Sequence, residues 1–128
     1  MKPELIKCQV TTGDLYCSRK NIDYIDLLKI DVEGAESSVL NGFSNLLSKK
    51  KIRIIQFEYG YHNGDAKFLM KDFFYFFKKF SYIIGRLNRG PIFFLGDCWD
   101  YKYNDFNSGP NYIAINKYDL ELVNLLGK

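Results

Sequence analysis

The sequence predicts an α/β fold, because strand-like and helix-like segments alternate along the chain. Residues 25–32 and 52–59 are nearly continuous apolar runs, a pattern typical of parallel strands that helices cover on both faces. Between these runs and again after them, apolar residues recur at helical spacing. Shorter strand-like segments follow. We therefore expect one sheet that is built by helical crossovers and closed by two or three further strands.

Length and composition limit the possible classes of protein. The 128 residues suffice for one domain with a hydrophobic core, and 47% hydrophobic with 26% charged residues is typical of a globular chain. A net charge of +3 is too small to indicate a nucleic-acid or membrane partner. Cys8, Cys17 and Cys98 form no disulfide pattern, and the residues include no apolar run of the kind found in leaders or membrane spans. We expect a cytoplasmic protein.

The N-terminal half of the chain predicts two strands and a helix. Residues 4–12 alternate between apolar and polar, which indicates a half-buried strand, and residues 11–23 are polar and turn-like. The strand at 25–32 stops at acidic residues, and Gly34 permits a tight turn into the next helix. The apolar face of that helix is formed by Val39, Leu40, Phe43, Leu46 and Leu47.

The C-terminal half predicts a loop, two helices and three short strands. Their expected bounds are a loop at 60–65, a helix at 66–80, strands at 81–87, 92–95 and 112–116, and a helix at 120–126.

The acidic residues that follow the two apolar strands are expected to meet. Right-handed crossovers place the carboxyl ends of these strands at one edge of the sheet, where ligands bind in open α/β folds. Asp31, Glu33, Glu58 and His62 would then surround one crevice.

Four segments resemble the FkbM family of S-adenosylmethionine-dependent methyltransferases. The run Ile-Asp-Leu-Leu-Lys-Ile-Asp-Val-Glu-Gly-Ala-Glu at 25–36 carries most of the resemblance, and Val-Leu-Asn-Gly follows it at 39–42. Ile-Ile-Gln-Phe-Glu-Tyr at 54–59 and Asn-Tyr-Ile-Ala-Ile at 111–115 extend it, so that it covers about residues 10–116.

The resemblance implies a fold, a reaction and a set of site residues. The fold would be the Rossmann-like fold of class I methyltransferases, a mostly parallel sheet with an antiparallel strand near its end. The reaction would be methylation of an oxygen on a hydroxylated acceptor, such as a sugar or natural-product moiety, with S-adenosylmethionine as donor. Asp31 would lie beside the methyl-transfer site, with Gly34 also on the cofactor side, and Glu58 would lie near the acceptor pocket.

A carboxylate that hydrogen-bonds the acceptor hydroxyl can orient it and remove its proton. Asp31 is the first candidate for this catalytic role, with Glu33 or Glu58 assisting. Asp31 and Glu33 also have simpler interpretations: Asp31 as an exposed carboxylate at a strand end, and Glu33, like Glu36, as an acidic residue that stabilises the start of a helix.

Two other sets of residues have alternative interpretations. Asp31, Glu33, Glu58 and His62 could hold a divalent metal ion, but their spacing matches no standard ligand motif, so we predict no metal. His62, Trp99 and Tyr101 are candidates for binding the acceptor. The simpler alternatives are an ordinary loop residue for His62 and, for the two aromatic residues, a loop that covers the sheet.

The sequence departs from the family pattern ahead of Leu27, where no glycine-rich turn for the cofactor is present. Residues 1–128 are therefore predicted to be one partial methyltransferase domain, its C-terminal half. The strand at 25–32 would then lack a neighbour on one side, and an unpaired apolar edge favours self-association or pairing with a missing N-terminal segment. Residues 4–12 could cover it in part. The alternative function is a truncated, non-catalytic remnant that acts as an interaction module.

Overall fold

The computed structural model describes residues 5–107 and 109–127, and within them the chain forms one five-stranded sheet with helices packed against it. The strands are β1 (Ile25–Ile30), β2 (Ile52–Glu58), β3 (Tyr82–Arg86), β4 (Phe93–Phe94) and β5 (Asn111–Asn116). The helices are α1 (Gly13–Lys20), α2 (Glu36–Asn41), α3 (Ser44–Ser48), α4 (Tyr61–Asp65), α5 (Met70–Lys79) and α6 (Leu120–Leu126), with a 3₁₀ turn at Tyr101–Tyr103.

The sheet is mostly antiparallel, so the prediction of a mostly parallel sheet is wrong. The strand order is β1-β2-β5-β3-β4, and in the described part of the chain β1 and β2 are the one parallel pair of neighbours. β5, the last strand along the chain, enters between β2 and β3 in the opposite direction. β2 and β3, on either side of β5, run in the same direction. The short strand β4 pairs antiparallel with β3.

Two hydrophobic clusters lie on opposite faces of the sheet. Alternate residues of β5 belong to different clusters, as expected for side chains that point to opposite faces of a strand. The larger cluster joins the sheet to α2, α3 and α5, through fully buried side chains that include Leu40, Leu47, Ile55, Phe57, Phe73 and Phe77. The smaller cluster packs α6 against the other face through Ile113, Ile115 and Leu122.

β1 is covered on one face, whereas the sequence predicted burial on both. Ile30 is buried, and Leu28 packs against the larger cluster. Leu27, on the other face, is 56% exposed. The reason is that the smaller cluster around α6 includes no residue of β1 in the described part of the chain.

The strand predicted at 4–12 is wrong for its described residues. Residues 5–12 have no regular secondary structure, and Leu5 and Val10 are 99% and 96% exposed. Alternation of apolar and polar residues does not form a strand without a partner to pair with. Glu4, at the start of this prediction, lies outside the described residues.

The polar stretch at 11–23 contains α1, which the sequence analysis did not predict. The Thr12 side chain caps the helix by accepting a hydrogen bond from the Leu15 N–H at 3.2 Å. The Asp14 carboxylate in turn accepts hydrogen bonds from the N–H groups of Asn45 and Leu46, at 2.8 and 3.0 Å. α1 is therefore fixed to the first turn of α3.

Three further elements differ in their bounds. The single helix predicted after Gly34 is divided into α2 and α3, and the loop predicted at 60–65 contains α4. The helix predicted at 66–80 begins later, at Met70, whereas β2 and α6 lie within a residue of their predicted bounds.

In the part of the chain that the structure describes, no helix has the length and hydrophobicity needed to cross a bilayer.

Burial of Tyr82 predicts a loss of stability in alkaline solution. Its hydroxyl donates a hydrogen bond to the Ile52 carbonyl, and burial raises the pKa of Tyr82 to about 12. A tyrosine in an unfolded chain has a pKa of about 10. The folded state holds the phenolic proton more tightly, so this stabilisation is complete below about pH 10 and is lost as the pH rises towards about 12.

We expect the free energy of unfolding in urea to fall between about pH 10 and about pH 12. Tyr82→Phe should reduce the slope but not abolish it, because burial also raises the pKa of Tyr59 and Tyr112. At about pH 8, where the phenol is protonated in both states, the variant should lose about 1 kcal/mol through the missing hydrogen bond. Identical slopes for the two proteins would contradict this account.

Candidate functional site

A cleft of about 360 Å³ lies at the carboxyl ends of β1 and β2. The turn after β1 forms one wall, and the end of β2 with α4 forms the other. Residues from the connection between the 3₁₀ turn and β5 close the remaining side. The lining consists of Glu33, Gly34, Glu36, Glu58, Tyr59, Gly60, Tyr61, His62, Asn63, Phe106 and Pro110.

The turn after β1 needs two residues with positive φ angles. Glu33 has a φ of 51° and Gly34 a φ of 105°. A Cβ atom on Gly34 would lie 3.1 Å from the carbonyl oxygen of His62. Gly34 is therefore required both by its backbone conformation and by the close approach of the turn to α4.

A buried pair, Glu36 and Asn63, joins the two walls of the cleft. These side chains are 2% and 3% exposed. One carboxylate oxygen of Glu36 accepts the N–H groups of Val32 and Gly34, at 3.4 and 3.2 Å, and the other accepts the Asn63 amide at 3.0 Å. The Asn63 side-chain oxygen accepts the Gly60 N–H at 2.8 Å. The backbone of both turns is thus satisfied through one carboxylate and one amide.

The open part of the cleft contains an imidazole in contact with one carboxylate and, beside them, a further carboxylate. Nε2 of His62 lies 3.0 Å from a carboxylate oxygen of Glu33, and both side chains are exposed. Glu58, the last residue of β2, contributes the second carboxylate of the lining that is not buried. An imidazole and two carboxylates therefore face a space large enough for a small molecule, and all three groups can bind or accept protons from hydroxyl groups.

Aromatic rings form part of the lining of the cleft. The rings of Tyr59 and Phe106 are stacked, with centroids 4.9 Å apart, and the exposed ring of Tyr61 lies 5.3 Å from that of Phe106. The Tyr59 hydroxyl donates to the side-chain oxygen of Asn104, and burial raises the pKa of this phenol. The cleft therefore has an aromatic wall as well as acidic groups in its lining.

The structure brings together four of the predicted site residues, namely Glu33, Gly34, Glu58 and His62. Asp31 lies outside the lining: its carboxylate accepts a hydrogen bond from the Lys29 ammonium at 2.9 Å, and this bond raises the pKa of Lys29. The carboxylate of Asp31 is thus already paired, although its proposed catalytic and cofactor roles stay predictions.

Trp99 and Tyr101 are also outside the cleft. The Trp99 ring packs on Phe74 of α5, with centroids 5.7 Å apart, and on Tyr101 at 6.3 Å. The Tyr101 side chain is exposed. Both residues belong to a segment that covers α5, and their predicted role in binding the acceptor remains a prediction.

Sequence reasoning missed the structural role of Asn63 and the position of Phe106. Asn63 lies three residues after Gly60, the spacing at which an asparagine side chain can cap a helix start, and this was the one available signal. Phe106 is distant in sequence from the other lining residues and carries no comparable signal.

Within residues 5–107 and 109–127, no group of three or more His, Cys, Asp or Glu side chains is arranged to hold a metal ion.

The fold and the cleft define a class of α/β domain with an open crevice beyond the carboxyl ends of its two parallel strands. The family model described as the methyltransferase FkbM domain matches residues 4–84, a span that includes β1, β2 and both walls formed by their turns. The chain belongs to the FkbM methyltransferase domain family, which confirms the resemblance noted in the sequence. Comparisons with curated proteins and with solved structures found no match.

The Glu36–Asn63 pair predicts a large effect on stability. Glu36→Ala leaves the buried Asn63 amide and two partly buried backbone N–H groups without an acceptor, so it should lower the free energy of unfolding by about 3 kcal/mol in urea denaturation. Asn63→Ala should cost about 2 kcal/mol, since it removes the acceptor of the Gly60 N–H. The double variant should cost less than the sum of the two, by about 1 kcal/mol.

Glu33→Ala is the matched control for this cycle, because it removes an exposed carboxylate from the same turn. We expect it to change the free energy of unfolding by less than about 0.5 kcal/mol. Strictly additive effects of the Glu36 and Asn63 variants would contradict the direct coupling of the two side chains.

Proposed function

We propose that this chain is a methyltransferase that transfers a methyl group from S-adenosylmethionine to a hydroxyl oxygen of a small molecule bound in this cleft. Membership of the FkbM family supports methyl transfer. The single observation that carries the choice of acceptor is the convergence of Glu58 and the Glu33–His62 pair on one open cleft. The free cysteines, Cys8, Cys17 and Cys98, support the predicted cytoplasmic setting.

The cleft residues fit the methyl-bearing end of the cofactor. S-adenosylmethionine, when bound, supplies an electrophilic methyl group on a positively charged sulfonium. Carboxylates such as Glu33 and Glu58 and the faces of aromatic rings such as Tyr61 favour a cation of this kind. The Gly34 N–H already donates to Glu36, so in this proposal Gly34 shapes the turn and does not contact the cofactor. Of the two cofactor contacts predicted from the sequence, the proposal keeps that of Asp31.

Glu58 is the group that accepts the proton of the acceptor hydroxyl in this proposal. It ends a buried strand: its backbone pairs with Asn111 of β5, and the preceding residue, Phe57, pairs with both β1 and β5. The Glu33–His62 pair, in the same cleft, binds and orients the same hydroxyl or its neighbour. A fixed orientation at near-attack distance accounts for a large part of the rate enhancement in displacements of this type.

The aromatic wall favours a ring-shaped hydroxylated acceptor. Tyr61 and Phe106 add apolar surface to the cleft that also contains the acidic groups. A sugar ring has hydroxyl groups at its rim and an apolar face, so it can contact both sides of the cleft at once. The sequence analysis had assigned this task to Trp99 and Tyr101, and the cleft offers Tyr61 and Phe106 in their place.

The proposal is tested by transfer of tritiated methyl groups from S-adenosylmethionine to a panel of monosaccharides and nucleotide sugars. Glu58→Gln should lower the rate about 100-fold, since it removes the proton acceptor and keeps the shape of the side chain. Glu33→Gln and His62→Gln should lower it about tenfold by loss of orientation, and Asp31→Asn should have a smaller effect.

Glu121→Gln is the control for this series, because it removes an exposed carboxylate on α6, away from the cleft, and should leave the rate unchanged. Two results would contradict the proposal. One is a chain that neither transfers methyl groups to any member of the panel nor binds S-adenosylmethionine at millimolar concentration. The other is an active chain in which Asp31→Asn is more damaging than Glu58→Gln.

A further inference from the structure

The lining of the cleft carries negative charge. Its carboxylates belong to Glu33, Glu36 and Glu58, and in the described part of the chain no Lys or Arg is among the lining residues. The sum of these charges is negative even when His62 carries a proton. A ligand that enters the cleft therefore meets an environment that favours positive charge and disfavours negative charge.

The neighbouring cation Lys29 does not offset this charge. Lys29 lies within electrostatic reach of Glu58. Its ammonium is paired with the Asp31 carboxylate at 2.9 Å, so these two residues together contribute no net charge. Glu33 and Glu58, the two carboxylates of the lining that are not buried, remain for a ligand.

The tyrosine hydroxyls of the lining already donate within the protein. The Tyr59 hydroxyl donates to the side-chain oxygen of Asn104. The Tyr61 hydroxyl donates to the side-chain oxygen of Asn107 at 3.3 Å. Neither hydroxyl proton is therefore left for a ligand that needs donors.

The amide and the imidazole of the lining are used in the same way. The Asn63 amide donates to Glu36 at 3.0 Å. Nε2 of His62 lies 3.0 Å from Oε2 of Glu33, which fits an N–H donor at that nitrogen and leaves Nδ1 of the neutral ring as an acceptor. The side chains of the lining thus offer a ligand acceptors, and their donors are engaged with protein oxygens.

We propose that the methyl acceptor is a cyclic hydroxylated amine, such as an amino sugar, whose protonated amine binds Glu33 beside the hydroxyl that Glu58 deprotonates. An ammonium group has three donors, no acceptor and a positive charge, so it matches this lining in both respects. A phosphorylated sugar brings negative charge and acceptors, and it matches in neither. The inference rests on the proposed function, which makes this cleft the acceptor site.

The aromatic rings of the cleft are compatible with the same ligand. Tyr61 and Phe106 lie 5.3 Å apart between ring centroids, and the Tyr61 ring is exposed. The face of an aromatic ring attracts a cation, and it also packs against the apolar face of a sugar ring. An amino sugar can use both contacts, whereas a neutral sugar can use the second alone.

Binding of four matched sugars to the full chain, without S-adenosylmethionine, tests the charge selection. The probes are D-glucosamine, its neutral counterparts N-acetylglucosamine and glucose, and glucose 6-phosphate, titrated by NMR at about pH 7, where the amine is largely protonated. We expect glucosamine to bind about tenfold more tightly than either neutral sugar, and glucose 6-phosphate about tenfold more weakly than glucose. Added salt should reduce both differences.

Variants of Glu33 test its role. Glu33→Gln should reduce the preference for glucosamine over glucose to about threefold or less and leave the affinity for glucose within about twofold. Glu33→Lys should reverse the order of glucosamine and glucose 6-phosphate. Glu121→Gln, on α6, is the matched control and should keep the original order. The Glu33 side chain is exposed, so the melting temperatures should be unchanged and serve as the control for folding.

Three results would overturn the inference: equal affinity for all four sugars, tightest binding of glucose 6-phosphate, or no binding of any sugar at about 100 mM. An amine preference that Glu33→Gln leaves intact would overturn the role of Glu33.

Methyl transfer separates this inference from the proposed function. An active chain with the same kcat/KM for glucose and glucosamine overturns the inference and leaves the proposed function standing. A chain that prefers glucosamine in binding but transfers no methyl group supports the charge selection and contradicts the proposed function.

Discussion

The carboxylate of Glu36 is the interaction on which the geometry of the cleft depends. It lies in the first turn of α2 but accepts hydrogen bonds from the end of β1 and from Asn63 in α4. Two turns that belong to different crossovers are thereby held against each other. Because a buried carboxylate is costly unless its oxygens are bonded, the chain has few other arrangements of these turns available to it. This connection holds Glu33 and His62 in place relative to each other.

The sequence predicted those features that depend on local pattern. The bounds of β2 and α6 follow from hydrophobic periodicity, and the meeting of Glu33, Glu58 and His62 follows from the handedness of crossovers. Whether neighbouring strands run parallel or antiparallel was not predictable in the same way, because it depends on where β5, from the end of the chain, inserts. The prediction that Leu27 is buried was wrong for the same reason, because its burial depends on what packs against β1.

The charged residues of the site could be predicted from the sequence, whereas the residues that build the rest of the cleft could not. Acidic residues at strand ends can be recognised as site candidates from their position in the sequence. Asn63, in contrast, lies in a polar stretch in which any of several side chains could have been the buried one. Phe106 joins the cleft through a ring contact with Tyr59, 47 positions earlier in the sequence. Trp99 and Tyr101 looked equally suitable, and the packing of Trp99 on α5 accounts for their different location.

The insertion of β5 between β2 and β3 has a consequence for the order of folding during synthesis. Until residues 111–116 leave the ribosome, the inner edges of β2 and β3 have no partner, although both strands are complete much earlier. Phe106 and Pro110, which close the cleft, are made just before that strand. The nascent chain therefore passes through a stage with two open strand edges and an unfinished cleft, a state that is prone to misassembly and that chaperones bind.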